Sequence, residues 1–260
     1  MPTRVTTARH GAVLLIGVDR PAKLNAWDLQ TIDEVSRAYE RLGADDALRA
    51  GVLHGHGEHF SAGLDLAEVL PAVKERGGEV LAGPGPYDPF GLWRAPVPKP
   101  VVLAVQGIAF TLSIELALAC DIVVAADTVR FRQLEVARGI MPFGGATVRA
   151  PARLGWGNAM RFLLTAEEFG AAEALRIGLV QEVVPHGQQL HRAVALATLI
   201  AAQAPLGIQG TLANAREAVG DTQGARQHLT RLLPHLVSSQ DAAEGVRSFL
   251  ERRDAIFQGA

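Results

Sequence analysis

Up to Pro185, apolar residues follow two different rhythms. Short unbroken runs rich in Val, Ile and Leu occur at Ala12–Val18, Ala50–Leu53, Val101–Val105, Ile122–Ala126 and Leu179–Val184, each bounded by Gly, Pro or Asp. Runs of that length and makeup read as strands buried on both faces. Between the first two, Asp28–Leu42 sets Leu29, Ile32, Val35, Tyr39 and Leu42 at spacings of three, three, four and three, the stripe of an amphipathic helix. Leu66–Arg76 and Ile114–Cys120 read as shorter helices. Strands alternating with helices predict an α/β architecture.

Beyond Pro185 the rhythm changes. From His186 to Gln258 no strand-like run occurs, and helical spacing takes over at Leu190, Val194, Ala197, Leu199 and Ile200, then across Leu206–Val219 and Ala242–Phe257. The chain therefore divides into an α/β core, residues 1–185, and a helical unit, residues 186–260, joined near Pro185-His186-Gly187. Residues 83–100 (GPGPYDPFGLWRAPVPKP) are the one Gly/Pro-rich stretch and read as a surface loop. A loop beyond ~12–15 residues is usually functional or disordered.

Composition narrows the partners. The 260 residues hold 25 Lys and Arg against 27 Asp and Glu, a net charge of −2. No cationic excess is left to neutralise a nucleic acid backbone or an anionic membrane. Cys120 is the single cysteine, so an internal disulfide is excluded, and the thiol usage fits a reducing, cytoplasmic setting. The N-terminal residues lack the apolar core of a secretory signal. Val101–Cys120 is long enough to span a bilayer but carries Gln106 and Glu115. A carboxylate at a bilayer centre costs about 2.5–3.5 kcal/mol on insertion scales, so a buried strand–turn–helix is the better reading.

Glu115 carries the most information. Between Val101 and Ala126 only Glu115 and Asp121 are charged, and Glu115 lies inside an apolar helix. A carboxylate there requires a partner or a raised pKa, and a pKa near neutrality is what a general acid or base needs. Pairing with a distant arginine, or a place at a subunit interface, would also account for it. Glu135 ends the alternating segment Val129–Glu135, where, taken by itself, a surface acid paired with Arg130 or Arg132 is the better reading. The third feature is backbone. Phe60–Asp65 and Gly107–Ser113 are each a turn leading into a helix, where free N–H groups face any anion ahead. Leu112 stands three residues before Glu115 and so shares its face. His54, His56 and His59 form a cluster with poor metal-ligand spacing, and Cys120 reads as inert packing. No dinucleotide fingerprint, P-loop or Gly-x-Ser-x-Gly elbow occurs.

Taken together the chain resembles the enoyl-CoA hydratase/isomerase, or crotonase, superfamily. The blocks that carry the resemblance are Arg20-Pro21-Ala22-Lys23-Leu24-Asn25-Ala26, Phe60–Leu66, Lys99–Val102 leading into Gln106-Gly107, Glu115–Asp121, Leu134-Glu135 before Gly139–Gly145, and Ala171–Val180. It implies a crotonase-like spiral of strand–strand–helix turns with a C-terminal helical trimerisation region, assembled as a homotrimer or a dimer of trimers. It also implies an acyl-CoA thioester substrate and an enolate oxyanion held by two backbone N–H groups, which fall on Leu64 and Leu112.

The resemblance matches Glu115 and Glu135 to the two glutamates of hydratases, and implies substrate or CoA contacts at Lys23, Ala62, Asp65, Phe143 and Phe257, the last near the CoA nucleotide. No metal or separate cofactor is implied. The reaction expected is addition of water to a 2-enoyl-CoA. Enoyl-CoA isomerisation, acyl-CoA hydrolysis, decarboxylation and silent acyl-CoA binding are the alternatives. Leu112 and Phe143 replace glycines usual in hydratases, which implies a reshaped acyl pocket.

Overall fold

The computed structural model describes residues 2–260. Among the described residues the strands are β1 (Val5–His10), β2 (Val13–Val18), β3 (Ala50–Gly55), β4 (Val101–Val105), β5 (Ile108–Phe110), β6 (Ile122–Ala126), β7 (Arg130–Arg132), β8 (Phe169–Gly170) and β9 (Glu182–Val184). The α-helices among them are α1 (Leu29–Ala44), α2 (Leu66–Arg76), α3 (Leu112–Ala119), α4 (Ala146–Leu154), α5 (Trp156–Thr165), α6 (Ala171–Arg176), α7 (Gln189–Ala201), α8 (Pro205–Gly220), α9 (Thr222–Val237) and α10 (Gln240–Glu251).

The large sheet runs in the order β1-β2-β3-β4-β6-β9, with β1 antiparallel to β2 and every other pair parallel. Alternate residues of a strand face opposite sides. Leu103, Val105, Val123 and Ala125 enter the main core beneath α1 and α3, while Val102, Ala104 and Val124 meet Ala193, Ala197 and Ala201 of α7 on the other side. With both faces covered, these strands read as continuous apolar runs rather than alternating ones.

A short second layer positions the site. After β3 the chain bridges Ser61 to Ala109 of β5, and β5 pairs in parallel with β7. Three successive crossovers thus lay their next segments side by side: Ser61, then β5, then β7. Helices α2 and α3 start directly after the first two of these segments. This is the mixed α/β spiral that the resemblance implies, with helices α8–α10 following it.

Two regions differ from the sequence expectation. The edge strand β1, VTTARH, was not legible, because five of its six residues are exposed, four of them polar, and only pairing with β2 fixes it. Helix α10 ends at Glu251 instead of running on to Phe257. Arg252 adopts a left-handed cap (φ 54°), and the tail is pinned by side chains instead. Asp241 accepts from the N–H groups of Gln258 and Gly259 (2.7 and 2.9 Å), and Glu244 accepts from that of Ile256 (3.1 Å). Among the described residues no single helix is long and apolar enough to cross a membrane.

Candidate active site

Two backbone segments build one side of the site. Ser61 N–H donates to Ile108 O, and Phe110 N–H donates to Ser61 O, so residues 61–64 run alongside 109–112. Continuing that register sets Gly63 against Thr111 and Leu64 beside Leu112. A Cβ on Gly63 would collide with the Thr111 hydroxyl, and Gly63 has φ 109°, so the contact requires glycine on both counts. Ser113 Oγ ties the pair by donating to Ser61 O (3.1 Å).

On its far side the 61–65 segment is backed by residues 20–28. Trp27 N–H donates to Gly63 O and Asp65 N–H to Trp27 O, both at 2.8 Å, so the Leu64 N–H faces away from Trp27. Leu112 opens α3, where no intrahelical acceptor exists for its N–H. Neither N–H has an acceptor among the described residues. The positive φ of the turn falls on Thr111 (φ 49°, ψ −108°) and not on Leu112. This is sparsely populated space for threonine. The turn thus keeps its shape without glycine at 111, 112 or 113.

The two glutamates are near enough for the charge of Glu135 to act on Glu115. Glu115, one turn into α3, is 3% exposed, and its Oε1 accepts from the N–H groups of Gly144 (2.8 Å) and Ala146 (3.1 Å) at the start of α4. Thr111 N–H donates to Arg132 O, which extends the β5–β7 pairing and draws the chain after β7 towards α3. That chain turns into a short 3-10 segment whose first residue is Glu135, 7% exposed. Gln133 Nε2 donates to Glu135 Oε1 at 3.0 Å, and Glu135 Oε2 is buried without a protein partner. Burial pushes the Glu115 carboxyl up to about 7, reinforced by the charge of Glu135 and opposed by the two α4 amides and Arg149. Burial likewise pushes Glu135 up to about 6 against nearby amide donors.

The other residues of interest scatter more widely. Ala62 lies in the 61–65 segment, with its N–H donating to Leu24 O. Lys23 is exposed on the adjoining turn. The Asp65 carboxylate is held by the buried Arg20 at 2.9 Å. Phe143 is half-buried beside Gly144. Phe257 is not brought to this region within one chain. Its carbonyl accepts from Arg49, at the opposite end of β3 from Ala62–Leu64.

The histidines serve local structure: Thr6 Oγ1 lies 2.7 Å from His56 Nε2, and Ile108 N–H donates to His59 Nδ1 at 3.3 Å. Burial and the neighbouring His56 push His54 down to about 4. Among the described residues no three His, Cys, Asp or Glu side chains are grouped to hold a metal ion. Burial pushes the Cys120 thiol up to about 12, consistent with packing and not with nucleophilic use. Sequence reasoning missed Gln133 and the α4 amides. Gln133 shares a face with Glu135 in an alternating segment, a signal that could have found it.

Two mutually interacting carboxyl groups raised towards neutral pH, one of them a turn from an unpaired amide donor, are the equipment of an acid–base enzyme. Comparison with known proteins agrees with that class. Residues 8–260 match the sequence model described as enoyl-CoA hydratase/isomerase. A carnitinyl-CoA dehydratase of Citrobacter koseri is 36% identical over 96% of this chain and 97% of its own. An enoyl-CoA hydratase of Mycobacterium tuberculosis is 33% identical over 96% and 94%. The crystal structure of a probable enoyl-CoA hydratase/isomerase from Mycobacterium abscessus superposes with a TM-score of 0.95 at 48% identity, covering 99% of both chains. The chain belongs to the enoyl-CoA hydratase/isomerase family.

Proposed function

We propose that the chain is a hydro-lyase that adds water across the C2=C3 bond of a 2-enoyl-CoA, and in reverse dehydrates a 3-hydroxyacyl-CoA. The observation that carries this reading is the buried pair Glu115 and Glu135, poised about a unit apart around neutral pH. Near pH 6–7 such a pair holds about one proton between its two members. The ionised member takes a proton from water as the oxygen bonds to C3. The C2=C3 electrons shift onto the thioester oxygen, and the protonated member then delivers its proton to C2. One water supplies both the hydroxyl and, through the pair, the proton.

The Leu64 and Leu112 N–H groups receive the enolate oxygen. Two aligned donors in a dry site stabilise charge that develops only in the transition state. Nothing in this sequence of steps calls for a metal or redox cofactor, since the amides do the work of a Lewis acid. Both named relatives, a hydratase and a dehydratase acting on CoA esters, support the same bond change. The test is direct: purified protein incubated with crotonyl-CoA is expected to bleach the enoyl absorbance and yield 3-hydroxybutyryl-CoA. Unchanged absorbance across short and medium enoyl-CoA esters would defeat the reading.

Assembly as a homotrimer, or a pair of trimers, belongs to the same proposal. On α9, Leu232 and Leu236 face Gly210 of α8, whereas Leu229, Leu233 and Val237 point outward, with Val237 64% exposed. On α10, Phe249 and Leu250 are 80% and 74% exposed. An apolar surface of this kind is the mark of an interface. Light scattering at micromolar protein is expected to return three or six times the 27.6 kDa chain mass, and a monomer would refute the assembly.

A further inference from the structure

Along the end of α3 and the face of α4 lies a cavity of about 700 Å³, a size typical of small-molecule sites. Its wall is drawn from α1, the 88–97 loop, the end of α3, α4 and α8, and includes none of Leu64, Leu112, Glu115 or Glu135. Most of that wall is apolar, with Val97, Val101, Leu118, Leu212 and Val219 contributing. Its charges are largely spent on the protein. Arg153 caps the carbonyls of Ala117, Leu118 and Cys120, Arg216 is paired with Asp121, and Asp88 accepts from the N–H groups of Phe90, Leu92 and Trp93. Arg149, which also acts electrostatically on Glu115, donates to Gly91 O through Nη2, while its Nη1 is buried without a hydrogen-bond partner.

Phe90 lies between this cavity and the residues that hold Glu115. The ring is fully buried and lines the cavity on one side. On the other side it packs against Gly144, whose N–H holds Glu115. A Cβ added at Gly144 would come within 3.1 Å of Phe90 Cδ1 and 2.5 Å of Glu115 Oε2. Trp27, from the strip that backs Gly63–Asp65, meets Phe90 edge to face with ring centroids 6.1 Å apart. One aromatic ring thus touches both walls of the site, and its loss would join the site to the empty volume behind it.

We propose that Phe90 is the end wall of the acyl site and sets the length of chain it accepts, keeping a distal apolar compartment closed to the substrate. The inference rests on the acyl-CoA reading given above. It makes the wild type selective for short acyl groups and assigns that selectivity to one side chain on the 83–100 loop.

The experiment compares wild type with Phe90→Ala and Phe90→Leu, using the ratio of kcat/KM for 2-decenoyl-CoA over crotonyl-CoA. Calorimetric binding of decanoyl-CoA against butyryl-CoA runs in parallel and needs no chemistry. A single methylene in an apolar pocket changes discrimination by about 10–200-fold. Phe90→Ala is therefore expected to raise both ratios at least about tenfold, with Phe90→Leu in between. If Phe90→Ala does not fold, a rise in Phe90→Leu alone supports the assignment and an unchanged ratio overturns it. A wild type that already takes decenoyl and crotonyl esters equally overturns it too, as does a folded Phe90→Ala with wild-type binding ratios. Should no protein hydrate any ester while Phe90→Ala still gains affinity for decanoyl-CoA, the hydratase reading fails and the end wall stands.

Discussion

Replacing Glu115 or Glu135 by glutamine is expected to lower hydration of crotonyl-CoA by about 10²–10⁴-fold, the range for loss of a general acid or base. The same substitutions are expected to make the fold more stable at neutral pH. The reason is that burial raises both carboxyls above their ordinary value of 4.5, Glu115 to about 7 and Glu135 to about 6. Between about pH 4.5 and 7 the folded chain binds more protons than the unfolded one, so these groups subtract stability as pH rises through that window. Below it the effect vanishes. Glutamine carries no charge to bury and still offers Oε1 to the amides of Gly144 and Ala146. At one pKa unit per 1.36 kcal/mol, the gain for Glu115→Gln above pH 7 is on the order of a few kcal/mol, and smaller for Glu135→Gln. Urea midpoints at pH 4 and pH 8 separate the two contributions. Equal midpoint shifts at both pH values would contradict a strained charge, and wild-type turnover in either variant would remove that residue from the chemistry.

The second large effect comes from an atom with no side chain. Leu112→Pro deletes one N–H at the first position of α3, a donor that has no partner in the helix. Turnover is expected to fall by about 10²–10³, the loss seen when one oxyanion donor is removed. Leu112→Gly is the companion variant. It retains the donor, so its loss of turnover on the best short ester is expected to be far smaller than that of Leu112→Pro. Its cost falls on stability, since the Leu112 side chain is 1% exposed within the core and large-to-small changes there cost about 2–5 kcal/mol. Equal turnover losses in the two variants, with both folded by circular dichroism, would show that Leu112 serves packing alone.

How much of this was legible beforehand depended on how local the cause was. Strands β4 and β6 were plain because burial on both faces leaves an uninterrupted apolar run, and Glu115 stood out because nothing near it in sequence excuses a charge. Glu135 was ambiguous for the opposite reason. Its neighbours Arg130 and Arg132 offered pairing, yet Arg130 binds Glu168 and Arg132 donates to Ala166 O, partners more than 30 residues away. The crossing of residues 61–64 beside 109–112 is a matter of tertiary register and leaves no local mark. The family resemblance supplied it. Phe90 was hidden inside a loop whose glycines and prolines announce only irregular backbone.

The pairing of α3 with α4 has one more consequence. The amides at the start of α4 hold Glu115 in the first turn of α3, and Arg153 at the far end of α4 grips the last carbonyls of α3. The two helices are fastened at both ends like the rails of a ladder. An acid that must meet a carbon atom within a few tenths of an ångström gains from such a frame, because its aim is set during folding and little reorganisation is left for the reaction itself. If Phe90 is the end wall proposed above, new acyl preferences can evolve in its loop without disturbing the proposed acid–base pair, which rides on a rigid pair of rails beside it.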